Sequence, residues 1–279
     1  MPDPNEPLTR PLPDLGAWTE HFRRAEIPVL AQTAEAIEAM RANEDAVDAN
    51  AIGEMVAHDP LMTLKVLAYA ATHRPARMVT DTETVTATLV MMGITPFFRA
   101  FGPQPSAEQR LAAQPEALDG LHEVMRRAHR GATFALAFAV HRMDPDAPLI
   151  HEAALLHDFA EMLLWCHAPA LALRMRAAQR ADAALRSAAV QREMLGIVLN
   201  ELQQALMKAW RLPEMLRRIS DGRHAEQPAV RNVRLAVRLA RHSAAGWDNA
   251  ALPDDVADVA ALLNLSHAAA FQLVRSIET

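Results

Sequence analysis

The chain has 279 residues, of which 51% are hydrophobic and 22% charged, a balance that excludes disordered and collagen-like classes and suits one large core or two small ones. Its formal net charge of −6 argues against bulk electrostatic attachment to nucleic acid or to an anionic membrane surface. Nine glycines and one tyrosine stand against abundant Ala, Leu, Met, Arg and Glu, so helix formers dominate and an all-α fold is expected.

Residues 1–17 carry Pro2, Pro4, Pro7, Pro11 and Pro13, which predicts an extended or disordered proline-rich tail or docking arm. The tail lacks the basic start and apolar stretch of a signal peptide, and no run approaches the length of a membrane span. Cys166, the single cysteine, lies in an apolar run and has no partner for a disulfide, which fits a reducing compartment and an inert thiol. A cytoplasmic location with no membrane partner is expected.

From Trp18 to Met40 the positions Ile27, Leu30, Ala34, Ile37 and Met40 recur at helical spacing, predicting an amphipathic helix entered at Pro28. Two further helices are marked by Ile52, Met55 and Val56 and by Leu61, Leu64, Val66 and Leu67, with Asp59 as cap and Pro60 in the first turn between them. Thr80 to Thr88 is rich in threonine, yet Val85, Leu89, Met92 and Gly93 read as a helix closed by a glycine. Gly102, Pro103, Pro105 and Pro115 mark a boundary. A long helix follows from about Leu118 to His141. After the loop at Asp144 to Pro148, a nearly all-apolar, central helix starts near His151. Further helices are expected over Ala183 to Trp210, Pro213 to Ile219, Ala229 to Ala245 and Pro253 to Ile277. The expected organisation is a tail at 1–17, an N-terminal helical half at 18–101, a connecting loop at 102–117, a second helical half at 118–246 and C-terminal helices at 247–279.

The pair His157-Asp158 carries chemistry only in context. The succession IPVLAQTAEAI (27–37), HDPLMTLKVLAYA (58–70), TETVTATLVMMGITPFFRAF (82–101), AHRGATFALA (128–137), ALLHDFAEML (154–163) and KAWRLPEML (208–216) resembles the HDOD (HD-related output domain) family over roughly residues 20–245. The resemblance implies a multi-helix HD-like bundle in two packed halves. It also implies a non-catalytic bacterial signalling module related to the HD-domain metal-dependent phosphohydrolases.

Those enzymes hold a divalent metal with a first histidine, the adjacent His-Asp pair and a distant aspartate, and the metal activates water and polarises phosphate. The matching positions here are His129, His157, Asp158 and Val237, so the aspartate is missing. A further histidine found in related sequences aligns with Leu199. The lysine-containing continuation after the pair is replaced by Phe159, Ala160 and Glu161. Independently of the family, Arg231, Arg234, Arg238 and Arg241 form one stripe of a helix and Val233, Ala236, Val237 and Ala240 the other, which turns Val237 inward; Leu199 lies in a stripe of Leu195, Leu202 and Leu206.

No catalytic residue, cofactor or metal is therefore expected, and His129, His157 and Asp158 are vestigial candidates that leave room for a weakly bound divalent metal at most. A buried, hydrogen-bonded His-Asp pair that caps or cross-links helices is the expected role. The arginine-rich C-terminal third is balanced by Glu201, Glu214, Asp221 and Glu226 and lacks stacking aromatics, so nucleic acid is not expected as a partner. The expected partner is a signalling protein. A residual phosphohydrolase acting on a nucleotide or cyclic dinucleotide, and a non-catalytic nucleotide sensor, are the rival readings.

Overall fold

A computed structural model describes residues 4–73, 82–182 and 185–277. Among them the fold is all-α, with α1 (Leu15–Arg24), α2 (Ala31–Ala42), α3 (Ala49–Ala57), α4 (Pro60–Thr72), α5 (Val85–Met92), α6 (Ile94–Ala100) and α7 (Ala107–Arg110) leading to the long α8 (Pro115–His141). Then come α9 (Ala147–Leu155), α10 (Phe159–His167), α11 (Pro169–Ala181), α12 (Ser187–Leu195), α13 (Leu199–Ala209), α14 (Glu214–Ser220), α15 (Pro228–His242), α16 (Leu252–Leu263) and α17 (His267–Ser276).

The chain falls into two compact units, each built from two stretches of sequence: residues 1–124 with 158–213, and residues 125–157 with 214–279. These units interleave along the chain, whereas the sequence reading set one half after the other, at 18–101 and 118–246. The difference arises because α8 carries residues of both units and the chain returns to the first unit at Asp158.

In the first unit, α1 packs on α13 and α10 on α4, α11 and α13. Trp18 and Phe22 are fully buried from α1, and the Trp18 indole N–H donates to the Leu195 carbonyl at 3.2 Å. The helix expected to be entered at Pro28 starts at Ala31 as α2, and a separate helix, α1, precedes it. Ala25 leaves the helix with extended backbone, Ile27 is held from the α region by Pro28, and Val29 instead pairs with the segment at Ser106. Its N–H donates to Pro105 O at 3.0 Å and its carbonyl accepts from Ala107 N at 2.8 Å, so the expected loop at 102–117 contains a bridge, α7 and the start of α8.

The proline-rich segment is also tied down. Leu8 is 8% exposed and donates its N–H to His167 O at 2.7 Å, while Asn5 takes Glu26 N on its side chain and an Arg110 N–H on its carbonyl. Asp14 caps α1 by accepting from Ala17 N.

Asp59-Pro60 separates α3 from α4 as the sequence suggests, and Gly93 (φ +83) ends α5 in a conformation that favours glycine. Thr80 and Asp81 of the threonine-rich run, and Ala183 and Ala184 at the head of the expected 183–210 helix, lie outside the described residues. That last helix is interrupted at Gly196 (φ +74), where α12 stops, and α13 starts afresh at Leu199.

In the second unit, α15 packs on α9, α14 and α16, and α16 on α17. Asn264 in the left-handed conformation breaks the expected 253–277 helix into α16 and α17. Among the described residues no single helix is long and apolar enough to cross a membrane.

Candidate functional site

His129 stands on the portion of α8 that belongs to the second unit. Two residues on, Gly131 lets α15 approach: a Cβ placed there would lie 3.5 Å from both Cα and Cγ2 of Val237 and 3.7 Å from Cβ of Ala240. Asn232, buried on α15, fixes the same crossing by donating its side-chain amide to Ala135 O at 3.1 Å. Val237 is 6% exposed. Val237, the position expected to correspond to the distant aspartate, thus lies against α8 at Gly131.

On α9, half-buried His151 belongs to the same electrostatic neighbourhood. Its basicity is lowered first by burial and then by the charge of His129. Nothing in the sequence singled it out, because its six-residue spacing from His157 matches no helical face.

His157 follows α9 in a turn, its N–H donating to Ala154 O at 3.2 Å. The apolar run read as one helix from His151 is divided by this turn into α9 and α10. Asp158 occupies the N-cap position of α10 and begins the return to the first unit. Its carboxylate makes no capping bond to that helix, because its backbone (ψ 23) lacks the extended conformation from which a cap side chain reaches the first turn. His157 and Asp158 are half-buried, where a buried pair that caps or cross-links helices was expected, and the capping alternative is not made at α10.

Among the described residues, no three His, Cys, Asp or Glu side chains are grouped to hold a metal ion. The pair coupled in the second unit, His129 and His151, offers two imidazoles, and valine fills the position where a hard divalent cation needs a carboxylate. Of the aligned positions, His129, His157 and Asp158 keep side chains able to ligate a metal and Val237 does not.

The other expected changes lie in the first unit. Leu199 is buried with Leu195, Leu202 and Leu206, and its N–H donates to Gln191 Oε1 at 3.0 Å. Phe159 is fully buried with its ring 5.9 Å from that of Trp210, while Glu161 is half-buried.

Three polar clusters outside these positions were not legible in the sequence as clusters. Asp59, fully buried, accepts from Leu30 N at 2.7 Å, Leu61 N at 2.9 Å and Met62 N at 3.2 Å. Burial pushes its carboxyl up, and the backbone donors pull against that shift. Arg110 donates to Cys166 O at 2.7 Å and faces Nδ1 of buried His167 at 2.8 Å. The adjacent Cys166 thiol is pushed up to about 12 by burial, which makes it unreactive. In the second unit, buried Asp255 receives Arg238 and Nδ1 of His242, each at 2.6 Å, and ties α15 to α16.

The HDOD domain model of known families matches residues 27–226. Comparison with curated proteins gives no match. Among solved structures, the MmoQ response regulator from Methylococcus capsulatus str. Bath is 19% identical, with 90% of this chain and 99% of that chain covered and a TM-score of 0.68. A virulence factor from Campylobacter jejuni subsp. jejuni is 18% identical, with 90% and 89% covered and a TM-score of 0.63. At these identities the likeness speaks for the fold. The family match spans well over half of the sequence, and the chain belongs to the HDOD family.

Proposed function

We propose that the chain is a signalling domain that acts by binding another protein, works in the cytoplasm and catalyses nothing. The observation that carries this reading is the close approach of buried Val237 to Gly131 on α8, which puts apolar packing at the position that the family resemblance aligns with a metal-binding carboxylate. The signalling role is supported by membership of the family and by likeness to a protein described as a response regulator. On this reading the chain takes no cofactor, and nucleic acid is not its partner.

Two measurements test it. Affinity capture from the native cell should recover a specific partner, and repeated failure to recover one would count against an adaptor. Elemental analysis of protein purified without chelator, beside a phosphodiesterase assay on nucleotides and cyclic dinucleotides, should give substoichiometric metal and no turnover. Stoichiometric iron or manganese with turnover lost in His157→Ala would replace this reading with a residual phosphohydrolase, which the retained His129, His157 and Asp158 favour. Calorimetric heat from a nucleotide without turnover would favour a sensor.

A further inference from the structure

The outward stripe of α15 and the neighbouring α14 concentrate arginine within the second unit, in a chain whose net charge is −6. Part of that charge is neutralised internally. Arg238 is held by Asp255 and Asp258, and Arg217 lies 3.2 Å from Glu214. Arg218, Arg231 and Arg234 make no ion pair among the described residues; Arg218 and Arg234 are exposed and Arg231 is half-buried.

The fold thus spends its local carboxylates on some guanidinium groups and leaves others open. Arg231 and Arg234 are three residues apart on one helix, roughly 4.5 Å along its axis. Two guanidinium groups projecting from positions one turn apart can each form a bidentate pair with carboxylates one helical turn apart on a partner.

We infer that this face docks an acidic protein segment carrying carboxylates at i and i+3. The inference rests on the protein-binding reading above and names its surface. Nucleic acid fits less well, because the chain's net charge is −6 and neither α14 nor α15 carries a Phe, Tyr or Trp on which a base could stack.

The test is fluorescence anisotropy with a fluorescein-labelled helical peptide bearing glutamate at i and i+3, titrated with the full chain. Saturable binding that weakens with added salt is expected, as is at least a tenfold loss in the Arg231→Glu/Arg234→Glu double variant. Arg234 is exposed and Arg231 half-buried, and an unchanged circular dichroism spectrum would confirm the fold. No saturable binding, equal binding by the double variant, or displacement by a DNA oligonucleotide at equal concentration would each overturn the inference. Affinity capture separates it from the broader reading. If the double variant still recovers the wild-type partner, the face is wrong and the adaptor stands; if the peptide binds but neither protein recovers a partner, the face stands and the adaptor fails.

Discussion

Arg110 and His167, 57 positions apart, meet with Nη2 2.8 Å from Nδ1. A guanidinium can only donate, so Nδ1 must accept and the ring proton resides on Nε2. Burial, followed by the Arg110 charge, drives the His167 imidazolium down to about 3.

Acid should therefore destabilise the protein well above the carboxylate range. The unfolded His167 takes up a proton near pH 6.5 and the folded one only near 3, so stability is lost as pH falls through that window, by on the order of a few kcal/mol. His21 and His151, both shifted down by burial, act in the same direction. Asp59 opposes them lower in the range, since a raised carboxyl gains a proton more readily when folded. Melting temperature measured from pH 7 to pH 4 should fall, and His167→Gln should flatten the decline; a flat wild-type profile would refute the assignment.

Asp59→Ala should cost about 2–4 kcal/mol, because it removes the α4 cap and strands the Leu30 N–H. Asp59→Asn keeps one acceptor oxygen and should cost less. Urea denaturation of the three proteins gives the order directly.

Two glycines should respond differently to alanine. At Gly120 a Cβ would lie 2.5 Å from the Trp165 ring, so Gly120→Ala should lose about 1–3 kcal/mol and change the tryptophan fluorescence. At Gly196 nothing lies within 4 Å and the cost is the positive φ alone, about 1 kcal/mol. Thermal melts distinguish them, and equal losses would contradict the packing at Gly120.

Asp255→Ala should loosen α16, since it leaves Arg238 and His242 without their shared carboxylate. A loss of about 2–4 kcal/mol is expected. Hydrogen exchange should rise over residues 252–263 more than over α10; uniform exchange would show that the tie is not local.

Val237→Asp replaces packed methyls with a carboxylate against the α8 backbone. Destabilisation by about 3 kcal/mol or more is expected, without rescue by added manganese. Rescue would mean that the surrounding donors still form a metal shell.

The sequence revealed local chemistry better than it revealed breaks. Asp59-Pro60, the glycine stop at Gly93 and the two stripes of α15 depend on neighbouring residues, and all could be read from spacing. At Ala25–Leu30 and Gly196–Val198 apolar periodicity runs through the breaks, with Leu195 and Leu199 buried in one core from different helices, and only Pro28 and Gly196 mark them. The turn at Leu156–Asp158 was hidden in the same way by apolar residues on both sides. The polar clusters depend on distant pairings such as Arg110–His167 and Leu30–Asp59, and periodicity holds no information about these. The candidate histidines were legible as residue types, whereas the His151–His129 coupling depends on the fold bringing separate helices near each other.

The interleaving of the two units bears on how the protein is made. A ribosome completes residues 125–157 before any of 214–279 exists, so the end of α8 and all of α9 emerge without the helices that cover them. The first unit faces the same delay until residue 213. No single cut releases either unit as a continuous fragment. Premature termination after α13 should therefore yield a chain with exposed apolar helices and a demand for chaperones, rather than a smaller working domain.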